Sequence, residues 1–122
     1  MKKLQLSFLL ATIFSGILMS QTLSPYTLGA ISDLDLSASA ELVKETLETN
    51  GFQVLGEYAP AEDRARWVIV ITSEELLNAA AEIGELAGFA AALRIGLTTE
   101  SSGVTTSYTT PEYWMNAYYR DD

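Results

Sequence analysis

Apolar residues alternate with a period of two from Tyr26 to Ile31, where Tyr26, Leu28 and Ala30 are interleaved with Thr27 and Gly29, and this predicts a strand. The period then changes to that of a helix. Leu42, Val43, Thr46 and Leu47 share one face while Glu41, Lys44, Glu45 and Glu48 occupy the other. Ser37 or Ser39 offers the capping hydroxyl, and Asn50-Gly51 closes the helix because both residues tolerate a left-handed backbone. In the strand pattern of FQVLGEY, Phe52, Val54, Gly56 and Tyr58 fall on one side and Gln53, Leu55 and Glu57 on the other, up to Pro60. PAEDRAR follows as a solvent loop. Trp67 to Ile71, WVIVI, is apolar at every position, which predicts a central strand covered on both faces.

Thr72-Ser73-Glu74-Glu75 has the form of a capping box and opens an alanine-rich helix over Ser73 to Leu86. Its small residues permit close backbone approach, but they supply few large side chains to hold it. A strand from Phe89 to Thr98, a turn at Glu100 to Gly103 and a return strand from Val104 to Thr109 make a hairpin. Thr110, Pro111 and Glu112 then give a cap, a first-turn proline and a charge suited to the helix dipole. The helix they open, of about ten residues, turns Tyr113, Trp114, Ala117 and Tyr118 inward. The order is β-α-β-β-α-β-β-α, an α+β fold in which one sheet of about five strands carries packed helices.

Ahead of this domain, Met1-Lys2-Lys3 leads into an apolar run from Leu4 to Met19, followed by Ser20-Gln21-Thr22. A cationic start, an apolar core and small residues at its end describe a secretory signal peptide over residues 1–20, with the domain spanning 21–122. The run falls short of the roughly 20 apolar residues of a spanning helix. The expected location is therefore outside the cytoplasm, the periplasm first, and membrane association arises only through an uncleaved leader.

Loss of Lys2 and Lys3 with the leader leaves five of the seven basic residues beside all sixteen acidic ones, a formal charge of −11. Such a chain repels nucleic acid and anionic lipid. Cysteine and histidine are both absent. That removes disulfides, thiolate and imidazole metal sites, and serine–histidine chemistry, leaving carboxylates, Arg, Tyr and hydroxyls. Glu74 and Glu75 are neighbours on a helix, about 100° apart, and do not converge. Asp33 and Asp35 lack the further oxygen ligands and the glycine of a calcium loop, and neither Gly84 nor Gly88 precedes a phosphate-loop Lys. No metal and no cofactor is expected.

WVIVITSEEL, GFAAALRIGLTT and SYTTPEYWMNAYYR, preceded by a helix and NGFQVLGEY, together resemble the domain of unknown function 302 family over about ninety residues. The most specific part is the phrase Ser107, Tyr108, Pro111, Tyr113 at the start of the last helix. The resemblance implies a small bacterial or archaeal α+β protein. Two departures stand out. Tyr58-Ala59-Pro60 occupies the place of the family's histidine-containing phrase, and Thr72-Ser73 that of its Asn-Pro pair, so no role resting on that histidine carries over.

The densest group of candidate site residues is aromatic: Tyr108, Tyr113, Trp114, Tyr118 and Tyr119. Such side chains suit both a ligand platform and the docking of a helix on a sheet. As a site, Tyr108, Tyr113, Trp114 and Tyr118 would line an apolar pocket beside the alanine-rich helix, with Arg94 or Arg120 presenting a guanidinium to a carboxylate or sulfate. The expected function is a non-catalytic exported module that binds a small molecule or a partner. The alternative is an enzyme using carboxylate and tyrosine chemistry. Self-association into a homodimer, through strand edges or the alanine-rich helices, is a third expectation.

Overall fold

Five strands, of which only the last two are joined by a short turn, pair into one antiparallel sheet in the computed structural model, which describes residues 22–119. The leader and Arg120 lie outside the described residues. The strands are β1 (Tyr26–Ser32), β2 (Phe52–Tyr58), β3 (Arg66–Ser73), β4 (Leu93–Glu100) and β5 (Gly103–Thr109), in spatial order β1-β5-β4-β3-β2. The helices are α1 (Leu36–Thr49), α2 (Glu74–Ile83) and α3 (Pro111–Tyr118). The α+β architecture and its element order are as the sequence predicts. Since β1 and β2 are the two edges, α1 must cross the sheet between them.

The core lies between one face of the sheet and the helices. Ile69 and Ile71 of β3, Leu93, Ile95 and Leu97 of β4, and Val104 of β5 are buried there against Ala40, Leu76, Ala80, Ala87 and Ala91. Leu36, Val43 and Leu47 of α1 and Met115 and Tyr119 at the end of the chain complete the layer. The other face carries no helix among the described residues. WVIVI is therefore covered on one side only: Val68 and Val70 are half-buried on the open face, shielded by their neighbours in the sheet.

Several local details differ from expectation, each for an identifiable reason. The N-cap of α1 is Asp35, whose Oδ1 accepts from the Ala38 amide at 2.8 Å, rather than Ser37 or Ser39. Ser39 is buried with its hydroxyl toward the Leu34 carbonyl. The cap of α2 is Ser73, one residue beyond the Thr72 of the expected capping box, because the Thr72 hydroxyl is buried and donates to the Ala91 carbonyl at 2.7 Å; the helix stops at Ile83 because Gly84 takes φ +77. Residues Glu85–Ala91 continue as 3₁₀ turns, so β4 begins at Leu93 and not at Phe89. Alanine here serves close approach, since Ala80, Ala87, Ala90 and Ala91 are all buried.

Thr110 does not cap α3 with its side chain; its hydroxyl meets that of Thr27 at 2.8 Å and ties the helix start to β1. The residues of α3 and its C-cap that reach the core are Met115 and Tyr119, while Tyr113 and Ala117 stay exposed. At the far end of the sheet, Gly103 has φ +119, and a Cβ there would strike the Ser32 carbonyl. Only glycine fits this corner, where the Ser101-Ser102 turn brings β5 against β1.

Candidate functional site

The cavity that the fold builds sits on the helix side, at the end of the sheet where α1 starts and β3 begins. It encloses about 400 Å³ and is lined by Leu36, Ser37, Ala40 and Glu41 of α1, Glu57 and Ala59 at the end of β2, and Arg64 and Trp67 at the start of β3. A bulge makes this possible. Strict alternation would send Glu57 to the face opposite Val54, but the β2–β3 register shifts between Val54 and Gly56. The extra residue, Leu55, reverses the pleat, so that Glu57 opposes the buried Ile69 and points toward the helices.

Once turned inward, Glu57 becomes the hub of a short polar chain. Its Oε2 accepts from the Trp67 indole N–H at 2.9 Å and its Oε1 from the Lys44 ammonium at 3.1 Å. Lys44 also meets Glu41 at 2.8 Å, one turn earlier on α1. The Trp67 indole hydrogen bond, then Lys44, holds the Glu57 carboxyl below its ordinary value, and hydrogen bonds to Glu41 and Glu57 raise that of Lys44. Both groups are thus held in their charged forms. This is the opposite of a general acid or base, which needs a pKa near the working pH. What the network does is fix the Trp67 ring as a wall.

Arg64 also faces this cavity, and it forms no ion pair among the described residues. Its neighbour Arg66 is held by Asp63 at 3.3 Å. The cavity therefore combines an apolar lining from Leu36, Ala40 and Ala59, a clamped indole and one guanidinium without a carboxylate partner.

The candidate residues from the sequence fall into three separate places. Tyr113, Trp114 and Tyr118 do assemble: Trp114 stacks on Tyr118 with centroids 5.7 Å apart and planes 5° from parallel, and Tyr113 meets Trp114 edge-on at 6.2 Å. Phe89 extends the row, 5.7 Å from Tyr118. The indole N–H of Trp114 is buried without a hydrogen-bond partner among the described residues, as is the hydroxyl of the adjoining Tyr119.

Tyr108 lies on β5 beside Gly29 and takes no part in those ring contacts. Arg94 is exposed on the open face of β4, with its backbone N–H and C=O both bonded to the Thr109 hydroxyl. Sheet alternation thus separates Arg94 from the α3 aromatics. Sequence reasoning missed Glu57, Lys44, Arg64 and Trp67. The one available signal was Gly56, since glycine inside a strand marks a bulge. Comparisons of the chain with protein-family models, with curated proteins and with solved structures return no match.

Proposed function

We propose that this is an exported, non-catalytic binding module, a member of the domain of unknown function 302 family, whose ligand is a compact organic anion held beside Trp67. The observation that carries the reading is the pairing of an indole immobilised by Glu57 with an unpaired Arg64 across an apolar cavity of about 400 Å³. That volume lies in the usual range for small-molecule sites. The apolar lining takes a hydrocarbon or aromatic body, and the Arg64 fork takes a carboxylate or sulfate. Glu41 and Glu57 supply no further acceptor demand, because Lys44 already lies between them.

The test is Trp67 fluorescence in a Trp114→Phe background, which leaves Trp67 as the single tryptophan. Benzoate, phenylacetate, hexanoate and hexyl sulfate serve as probes. At least one probe should shift the emission with saturable dependence, and Arg64→Ala should weaken that probe tenfold or more. Emission indifferent to all four probes, or binding unaffected by Arg64→Ala, refutes the assignment.

A further inference from the structure

We infer that the open face of the sheet is the interface of a homodimer in which β4 of one subunit lies across β4 of the other in the opposite direction. The face carries large apolar side chains on β1, β3 and the end of β2, around a polar centre made by Arg94, Gly96, Thr98 and Glu100 of β4 and Thr105, Ser107 and Thr109 of β5. Leu28 is 66% exposed, Tyr26 and Ile31 are more than half exposed, and Tyr58 stands at the opposite margin. Between the margins lie Val68 and Val70, on the strand next to the middle one. An antiparallel sheet that keeps one face wet ordinarily alternates apolar-in with polar-out; β4 and β5 do so, while Leu28 and Ile31 of β1 and Val68 and Val70 of β3 break the rule on the same face.

Size favours a second copy of the chain as the occupant. Five strands spaced about 4.8 Å apart, each seven or so residues long at about 3.4 Å per residue, present roughly 550 Å² in projection. Side-chain relief raises the accessible area toward the roughly 800 Å² that each partner buries in a standard interface. Two such faces stack about 10 Å apart, as in a β-sandwich.

Charge selects the orientation. The open face carries Arg94 at one end of the middle strand and Glu100 at the other, six residues and about 20 Å apart. Among the described residues Arg94 has no carboxylate partner and Glu100 accepts only from the Thr105 hydroxyl, at 3.0 Å. A two-fold axis parallel to the strands would set Arg94 against Arg94. The axis perpendicular to them, in the plane between the sheets, sets Arg94 against Glu100 of the partner subunit, twice by symmetry. The cavity at Trp67 is on the helix side, so this pairing is independent of the ligand proposed above.

The test is sedimentation equilibrium of the full chain, produced with its own leader and purified as it accumulates, at low ionic strength. Wild type should give a dimer mass. Arg94→Glu and Glu100→Arg should each raise the dissociation constant at least tenfold, and the double exchange should return it to within about threefold of wild type. Because the two residues are too far apart to pair within one chain, such a rescue is intermolecular. Both sites are exposed, and unchanged urea midpoints at high dilution show that the variants fold. A monomer up to about 200 µM overturns the inference. So does a dimer indifferent to both single changes, or one that the double exchange fails to restore.

Discussion

Removing the Glu57 carboxylate should loosen Trp67, and the size of the effect follows from the geometry. The indole N–H to carboxylate bond is 2.9 Å long, and hydrogen bonds to charged groups contribute about 1.5–3 kcal/mol. The Glu57 side chain is 33% exposed, and water competes for it, so the coupling should fall below that range, to about 1 kcal/mol. A double-mutant cycle of Glu57→Ala, Trp67→Phe and their combination isolates it. With a urea m-value of about 2 kcal/mol/M for a domain this small, the coupling corresponds to roughly 0.5 M in the unfolding midpoint.

The cycle also has a predicted pH profile. The folded-state pKa of Glu57 lies below its ordinary 4.5, so its contribution is complete above that value and is lost as pH falls through the folded one. Lys44 is shifted above its ordinary 10.5, so its contribution is complete below 10.5 and is lost as pH rises through the folded value. Between about pH 5 and 10 the coupling should be flat. A coupling under about 0.3 kcal/mol at pH 7, within the scatter of independent sites, would refute the clamp.

Thr109→Val keeps the side-chain shape but strips the Arg94 N–H and C=O of their partner, and should cost about 2–3 kcal/mol in urea unfolding. Asp35→Ala should cost about 1 kcal/mol by loss of the α1 cap while Ser37→Ala costs less than about 0.3; equal effects would contradict the cap assignment. Gly103→Ala should lower stability by at least about 2 kcal/mol, from its positive φ and the collision with Ser32, and a neutral result would show that the β5–β1 corner is elsewhere. Stopped-flow association of an anionic probe with the cavity should accelerate between 10 and 150 mM salt, as the Debye length falls from about 30 to 8 Å and screens the net negative charge.

Element order was legible because it rests on local signals that tertiary structure reinforced. The Asn50-Gly51 stop, the hydroxyl pair Thr72-Ser73 that marks the start of α2 to within one residue, Pro111 at a helix start and the Ser101-Ser102 hairpin each act over a few residues. Errors gathered where a distant contact decides. Nothing local distinguishes a strand covered on both faces from WVIVI, whose Val68 and Val70 stay on an open face because all three helices pack on the other. The aromatic row on α3 was foreseeable from spacing, but its separation from Arg94 depends on which way β4 is pleated. The cavity was hidden because one bulge residue, Leu55, reverses Glu57, so a simple count of alternation puts its most connected side chain on the wrong face.

The basic side chains divide between the two faces of the sheet. In a chain with sixteen carboxylates, a surface cation that needed only a counter-charge would find one, as Lys44 does with Glu41 and Glu57 and Arg66 with Asp63. Arg64 and Arg94 have none among the described residues, and they occupy opposite faces, one at the cavity and one on the uncovered strand surface. Exposed ion pairs add at most about 1 kcal/mol, so folding exerts little pressure either to make or to avoid them. A guanidinium without an internal partner is therefore free to meet a carboxylate from outside the chain, and both proposals draw on that freedom. At Arg64 the proposed occupant is a small anion, for which the cavity has the volume; at Arg94 it is Glu100 of a second copy, and the reciprocal Arg94→Glu and Glu100→Arg exchange decides it.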